Sequence, residues 1–417
     1  MILWFCIEYF YIWKDCYKCN HNIIILNKIK GAEMAKPIKG SSSKEDKDTK
    51  LEKESKESDD YKTISINLDE GKKVFIKDLL DENKVGKRVD LLGWVWRKRV
   101  HSNETFIVLR DSTGVMQAVI STAILQHPIY IEQALEVSGI LAKDDRAPGG
   151  FEIRADSIKI IGNSEEYPIS KDFSEEFLLD KRHLWNRSTT MKNIMLVRER
   201  VLEGAREWFA LQNWHEVNPP ILTASAAEGG ATLFELDYFD KKAYLSQSAQ
   251  LYLETLIFSL EKVWSLTPSF RAEKSRTTRH LMEFWHLEGE AAWLDFEGIL
   301  RVEEKLIEHI LHHVAETVPN ELKALGRDPE DLLAIKTPFK RIHYDDVIEL
   351  LRRNGFDIKP GDDLSTAHEK FLTTNEKAPI FVVEYPKAVK PFYTKIDPKR
   401  PGLVLSADML VPEGYVK

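Results

Sequence analysis

Residues 268–290 read PSFRAEKSRTTRHLMEFWHLEGE, with three arginines, two histidines and four glutamates among five aromatic or leucine positions. So much charge does not suit a core strand, and Phe284, Trp285 and Leu287 do not suit a solvated face. The stretch divides into two strands, SLTPSFRAE and LMEFWHLEGEAAW, joined by the loop KSRTTRH. Side chains alternate along a strand, so Ser269, Arg271 and Glu273 share one face. On the returning strand Phe284, His286, Glu288 and Glu290 share a face, while Trp285 and Leu287 point the other way, into the core. One face then presents a ring, carboxylates and a guanidinium, overhung by Arg276, Arg279 and His280. That set suits a nucleotide: the ring stacks, a carboxylate accepts from an exocyclic amine, and the cations meet phosphates. The alternative is a salt-bridged sheet surface, which gives no reason for a loop holding Arg and His together.

Upstream, NIMLVRERVLEGAREWFALQ repeats Ile194, Val197, Val201, Ala205 and Trp208 at helical spacing. Pro219 and Pro220 in EVNPPIL cannot continue that helix. AYLSQSAQLYLETLIFSLEKV reads as a strand edge and then a helix. Between Leu294 and Val318 the residues Ile299, Val302, Leu306 and His309 or Ile310 mark another amphipathic helix. His309, His312 and His313 lie on it without a matching carboxylate pattern, and read as surface and boundary residues rather than metal ligands. PIFVVEYP and GLVLSADMLV close the chain as strands, so this half is an α+β domain.

Nearer the N-terminus, KRVDLLGWVWRKRV, TFIVLRDSTGVMQAVI, ALEVSGILAKDD and FEIRADSIKIIG are short strand patterns separated by Gly, Asp and Ser turns. About five strands in so short a span predict a small barrel of the OB type. Such barrels stack bases on aromatics and meet phosphates with basic groups. Arg97, Lys98, Arg99, Phe106 and Arg110 could supply those groups. Equally, Phe106 could be core and the basic residues could guard an edge strand.

Residues 40–61, GSSSKEDKDTKLEKESKESDDY, bury too little to offset their ordering entropy and read as a disordered tether. Before them, MILWFCIEYFYIW is too short to span a bilayer and lacks the basic start of a signal peptide. Cys6, Cys16, Cys19 and His21 could form a zinc site, but no second ligand pair of standard spacing follows. The other reading makes residues 1–33 an upstream extension, with Met34 as the start. All three cysteines precede residue 20, which excludes a disulfide framework for the body and makes the cytoplasm the default compartment. The 417 residues are 43% hydrophobic with a net charge of −8, which fits two or three domains and argues against indiscriminate coating of nucleic acid. The predicted organisation is an extension and linker over 1–62, the barrel over 63–165, a hinge over 166–188 and the second domain over 189–417.

FRAEKSRTTRHLMEFWHLEGE closely resembles motif 2 of the class II aminoacyl-tRNA synthetases, in the aspartate/asparagine/lysine subgroup. FALQNWHEVNPPIL resembles motif 1 of that family, with Pro220 at its characteristic proline. GWVWRKRV and FIVLRDSTGVMQAVI resemble the subgroup's anticodon-binding barrel. The resemblance runs from about Lys73 to the end of the chain. EGGATLFELDYF, YLSQSAQLYLE and LSADMLVPEGY resemble the archaeal, asparagine-specific branch in particular.

This resemblance implies an α+β fold: an N-terminal OB-fold barrel, then a class II antiparallel-sheet catalytic domain flanked by helices. It implies ATP and Mg²⁺, with asparagine and tRNA(Asn) as substrates, no membrane, and a homodimer formed through motif 1. By position, Arg271 contacts the ATP α-phosphate and the substrate carboxylate. Glu273 accepts from the adenine amine, Phe284 stacks on adenine, and Arg279 and His280 reach the outer phosphates. Glu228 and Gln250 match residues that hold the α-ammonium group, Glu288 faces the side-chain amide, and Asp408 matches a magnesium ligand. In the barrel, Phe106 and Gln117 match anticodon contacts and Arg97 a phosphate contact.

Two departures matter. After LSADMLVPEGY the family continues with a Gly-Glu-Ile segment carrying a second metal carboxylate, then a motif 3 with glycine and arginine. The chain stops at Lys417, so the catalytic domain is expected to be incomplete and to activate amino acids poorly. Aspartate-specific members read Gln-Ser-Pro-Gln-Leu-Tyr-Lys-Gln where this chain has QSAQLYLE, and their lysine meets the aspartate carboxylate. Leu253 stands at that lysine and Ala249 at the proline, which favours a neutral carboxamide, since an unpaired buried carboxylate is costly. Leu253 could instead be a plain helix-core residue. The other readings are an aspartyl enzyme, including one that charges both tRNAs, and a non-catalytic paralogue that binds tRNA or ATP.

Overall fold

The computed structural model describes residues 3–6, 74–125, 127–169, 174–224, 233–272 and 281–412. The charged run at 40–61, Met34, and Cys16, Cys19 and His21 lie outside them. The chain divides into two compact units, one of residues 24–171 and one of residues 1–23 with 172–417. Its first strand, β1 (Leu3–Cys6), belongs to the second unit.

The smaller unit is a closed barrel. A short helix, α1 (Ile76–Leu79), precedes β2 (Arg88–His101), β3 (Glu104–Arg110), β4 (Val115–Ser121), β5 (Ala134–Lys143) and β6 (Phe151–Gly162). The strands close in the order β2-β3-β4-β6-β5, with β4 and β6 parallel and the other neighbours antiparallel. Period-2 alternation sends Leu91, Val95, Ile107, Leu109, Met116 and Val137 inward to one apolar core. The seam between β5 and β6 needs a glycine. A Cβ on Gly139 would stand 2.2 Å from the Arg154 carbonyl oxygen, at an irregularity in the ladder. Asp111 fastens α1 to the barrel, accepting from Ile76 N at 2.9 Å and from Thr113 and Gly114 N at 2.6 and 3.0 Å. Burial opposes its charge, but these donors outweigh it and the carboxyl titrates below its ordinary value.

In the larger unit, α2 (Glu175–Asp180) and α3 (Arg182–Trp185) lead to α4 (Thr189–Leu211), capped by the Ser188 hydroxyl accepting from Met191 N at 3.2 Å. The periodic set Ile194, Val197, Val201, Ala205 and Trp208 is the buried stripe of α4. This helix ends at Leu211, well before the prolines expected to stop it. Asn213 turns the chain with φ of 55°, a left-handed conformation that asparagine tolerates, so a backbone turn terminates the helix.

Next come β7 (His215–Glu216), β8 (Leu222–Thr223), β9 (Glu235–Tyr238), β10 (Lys241–Leu245), α5 (Gln250–Leu260), β11 (Lys262–Phe270) and β12 (Glu283–Ala291). The central sheet has the order β1-β12-β11-β7, while β8, β10 and β9 form a second sheet. Then α6 (Phe296–Thr317), α7 (Pro319–Ala324) and α8 (Pro329–Leu333) precede β13 (Lys340–His343), α9 (Tyr344–Arg353), α10 (Thr366–Thr373), β14 (Ile380–Val383) and β15 (Ala407–Leu410). The last three strands make a sheet in the order β13-β14-β15. Trp264, Leu266 and Leu287 present one face of the β11–β12 ribbon to α4 and α6 and complete the main core. Trp285 does not join them. It pairs with Pro268 toward the loop end of the ribbon, beyond that cluster, and is 38% exposed.

Candidate functional site

The β11–β12 ribbon is antiparallel in continuous register from Lys262 opposite Ala291 to Phe270 opposite Glu283. Opposite the apolar face, its second face aligns Ser265 with Glu288, Thr267 with His286 and Ser269 with Phe284. All six are buried. Burying so many polar groups is costly unless each has a partner. A packing face would be filled with Val and Ile, so this one is built for chemistry.

Glu288 anchors the face. It is fully buried, accepts from Ala249 N at 2.7 Å and from the Ser248 hydroxyl at 2.5 Å, and so sits at the amino end of α5. Exposed helix N–H groups and the helix dipole both favour a carboxylate there. His286 lies between Glu288 and Phe284, with Nδ1 3.1 Å from Ser269 Oγ and 3.3 Å from Glu288 Oε2. Burial, reinforced by the Arg271 charge, pushes its pKa down to about 3, so the ring is neutral at physiological pH. At the loop end, the Arg271 guanidinium lies 5.4 Å from the centre of the Phe284 ring, and Arg271 N donates to Met282 O at 3.0 Å.

Gln250 is buried in the first turn of α5, and its Nε2 donates to Glu254 Oε1 at 2.9 Å. Only the amide nitrogen can donate to a carboxylate, so Oε1 is turned away from Glu254. That oxygen is buried and has no hydrogen-bond partner among the described residues. It is an acceptor suited to a ligand's ammonium group. Leu253 is fully buried in an apolar cluster with Ala249 and Val263, so at this position the chain offers a ligand no charged group. Glu228, Glu273, Arg279 and His280, with Arg276, lie outside the described residues.

Asp408, on β15, is engaged by Lys390, whose Nζ donates to its two oxygens at 2.7 and 2.8 Å. It also acts on a group that sequence reasoning missed. Burial, then the charges of Asp408 and Glu304, push the Glu303 carboxyl up to about 8. Glu303 is on α6, and nothing in the spacing of these segments signals that β15 would meet it.

On the barrel, Arg97, Val108, Gln117 and Glu152 line up across β2, β3, β4 and β6, and Arg99, Phe106, Val119 and Arg154 form the adjacent row. Phe106 is half-buried on this outer face rather than in the core, and the Arg99 guanidinium lies 4.9 Å from its ring centre. Gln117 donates to Glu152 at 3.0 Å. Arg97 is exposed and packs on the Trp96 ring at 4.0 Å. Lys98 and Arg110 are committed elsewhere. Lys98 donates to Ile129 O at 2.6 Å, and Arg110 forms a two-pronged pair with Glu132 at 3.0 Å for each contact.

Residues 174–415 match the family described as tRNA synthetases class II (D, K and N), and residues 89–161 match the OB-fold nucleic acid binding domain. The asparagine--tRNA ligase of Thermococcus gammatolerans is 50% identical over 349 residues, covering 82% of this chain and 81% of that one. The crystal structure of Pyrococcus horikoshii asparaginyl-tRNA synthetase complexed with asparaginyl-adenylate matches with a TM-score of 0.79 and 46% identity, over 82% of this chain and 81% of that one. The Entamoeba histolytica asparaginyl-tRNA synthetase bound to the same adenylate matches with a TM-score of 0.71 and 32% identity, over 78% of each chain. A buried polar ribbon, an OB-fold barrel and relatives of this identity and extent agree: the chain belongs to the class II tRNA synthetases of the D, K and N group, among the asparaginyl-tRNA synthetases.

Proposed function

We propose that this chain joins asparagine to tRNA(Asn) through an asparaginyl-adenylate formed from ATP on the polar face of the β11–β12 ribbon. In the first step a carboxylate oxygen of asparagine attacks the α-phosphorus. A carboxyl–phosphate bond forms, the bond between the α-phosphorus and the bridging oxygen breaks, and pyrophosphate leaves. In the second step a hydroxyl of the tRNA's terminal ribose attacks the carbonyl carbon and AMP leaves. Neither step needs a protein nucleophile, so catalysis rests on positioning and charge neutralisation.

Arg271 draws the substrate carboxylate and the α-phosphate together, since a planar guanidinium serves two anionic oxygens at once. Phe284 stacks on the adenine, Glu273 accepts from its amine, and Arg279 and His280 reach the outer phosphates. Gln250 Oε1 and Glu228 hold the α-ammonium group. Glu288 and its neighbours hold the carboxamide, and the apolar Leu253 denies an aspartate side chain the cation it would need. Asp408 and Glu303 are the hard oxygen donors that Mg²⁺ takes, and the upward shift of Glu303 beside Asp408 marks a place where positive charge is favoured. Asp408 would hold the ion once Lys390 releases it, and the ion would supply charge neutralisation on the phosphates.

On the barrel, Phe106 stacks on an anticodon base, Gln117 reads a base edge and Arg97 meets a phosphate. The chain works as a cytoplasmic homodimer joined through α4 and β7. Among the described residues no helix is long and apolar enough to cross a membrane.

The observation that carries this reading is the buried polar face in which Arg271 adjoins Phe284 and Glu288 caps α5. ATP–pyrophosphate exchange and tRNA charging test it. Asparagine should support faster exchange than aspartate and label tRNA(Asn), and equal or faster exchange with aspartate would overturn the substrate.

A further inference from the structure

The His313 ring on α6 lies against bare backbone on α4. A Cβ added at Gly204 would meet His313 Cβ, Cγ and Cδ2, each at 3.2 Å. Glycine inside a helix costs roughly 1 kcal/mol relative to alanine. Here it makes room for an imidazole between two helices. One turn along α6 is His309, whose ring is nearly parallel to that of His313 at 6.2 Å. On α4, Glu203 and Glu207 are likewise one turn apart and flank Gly204. The sequence hides this group because Glu207 and His309 are 102 residues apart.

Glu207 Oε2 lies 3.0 Å from His309 Nε2 and 3.3 Å from His313 Nδ1. One donor atom from each of these three residues falls within 4.8 Å of the other two. We propose that Glu207, His309 and His313 form a binding site for a divalent transition-metal ion of the Zn²⁺ class, clamping α4 to α6. Adjacent ligands of a tetrahedral ion with bonds of about 2.0–2.1 Å are roughly 3.3 Å apart, close to both observed separations. Two imidazoles and one carboxylate select Zn²⁺ and its neighbours over Mg²⁺ or Ca²⁺.

His313 supplies the second argument. Its Nε2 is buried, lies 3.5 Å from Glu203 Oε2, and has no hydrogen bond within ordinary geometry among the described residues. Carboxylates therefore face both ring nitrogens, but a neutral imidazole carries a single N–H and cannot serve both. With Nδ1 on a metal the ring proton must be on Nε2, directed at Glu203, which is the carboxylate–histidine–metal arrangement that fixes a ligand's tautomer. Arg200 also pairs with Glu203 and keeps it ionised for that role. Glu207 and His309 are partly exposed, which leaves an entry path and a fourth position open to water.

The test uses the 417-residue chain with Cys6, Cys16 and Cys19 changed to Ser, stripped of metal by a chelator and titrated with Co²⁺ and then Zn²⁺. One Co²⁺ per chain should bind with the visible bands of tetrahedral coordination, be displaced by Zn²⁺, and be unaffected by saturating ATP. His309→Ala and Glu207→Gln, both at partly exposed positions, should abolish the bands, and Glu203→Gln should weaken Co²⁺ roughly 10- to 100-fold. Gly204→Ala should weaken it too, by displacing the His313 ring. Zn²⁺ should raise the melting temperature of the parent but not of His309→Ala. Absence of the bands, or bands that persist in His309→Ala, would overturn the proposal. So would a His313 that takes up a proton on acidification identically with and without Zn²⁺, since the cluster would then be an ion pair.

Discussion

The Arg271 guanidinium stands 5.4 Å from the centre of the Phe284 ring, so the cation and the stacking surface proposed for one nucleotide belong to one unit. Phe284→Ala should weaken ATP binding by about 1–3 kcal/mol, the usual worth of a base stacked on an aromatic ring. That is roughly 5- to 150-fold. Phe284→Leu keeps an apolar body without a π face and should recover only part of the loss. Calorimetric titration with ATP checks this, and an unchanged affinity in Phe284→Ala would remove the ring from the site.

Glu288 ties the amino end of α5 to the ribbon, so its removal should act on stability and on the amino acid rather than on ATP. Glu288→Ala leaves Ser248 Oγ and Ala249 N without the acceptor each now has. A buried donor left unsatisfied costs about 1–3 kcal/mol, so the melting temperature should fall by several degrees. Glu288→Gln retains an acceptor oxygen and should lose less. In pyrophosphate exchange the KM for asparagine should rise in Glu288→Gln while that for ATP stays near the parent value.

On the barrel, Phe106→Ala should weaken tRNA(Asn) binding by about 1–3 kcal/mol. Arg97→Ala should reduce the slope of log affinity against log salt by roughly 0.7–0.9, the signature of one lost phosphate contact. Arg110→Ala provides the contrast. Its partner Glu132 is buried, so breaking the pair should destabilise the barrel by about 3 kcal/mol and leave the salt slope unchanged. Filter binding across a salt series distinguishes the three variants, and a slope change in Arg110→Ala would reassign that residue to the RNA.

Local pattern made much of this legible. Alternation alone grouped Phe284, His286 and Glu288 on one face of β12, and helical spacing picked the buried stripe of α4. The barrel strands were legible because one face is solvated and each strand therefore alternates. The end of α4 is set locally, by the Asn213 turn rather than the prolines, whereas other features depend on surroundings distant in the sequence. Trp285 alternates with Leu287 correctly, yet the core does not extend to it. Lys98 and Arg110 look like phosphate contacts until Ile129 O and Glu132 are brought beside them. His309 and His313 lacked carboxylates only along their own helix, because Glu203 and Glu207 arrive from α4.

His286 gives the acid side of the stability profile a sign. Its folded pKa is pushed down to about 3 from 6.5, first by burial and then by the Arg271 charge. Between those values the unfolded chain binds a proton that the folded chain refuses, so stability rises with pH in that window and is lost as pH falls below about 6.5. One such group contributes at most about 1.4 kcal/mol per pH unit. Among the described residues, Ser269, Glu288, Arg271 and Phe284 lie near the ring. The melting temperature of the parent should therefore drop as pH is lowered from 7 to 4.5. His286→Gln has no proton to gain and can still hydrogen-bond Ser269, so it should drop by less. Parallel curves for the two proteins would show that His286 accepts its proton in the fold at its ordinary pKa, and the neutral ring assigned to this face would be wrong.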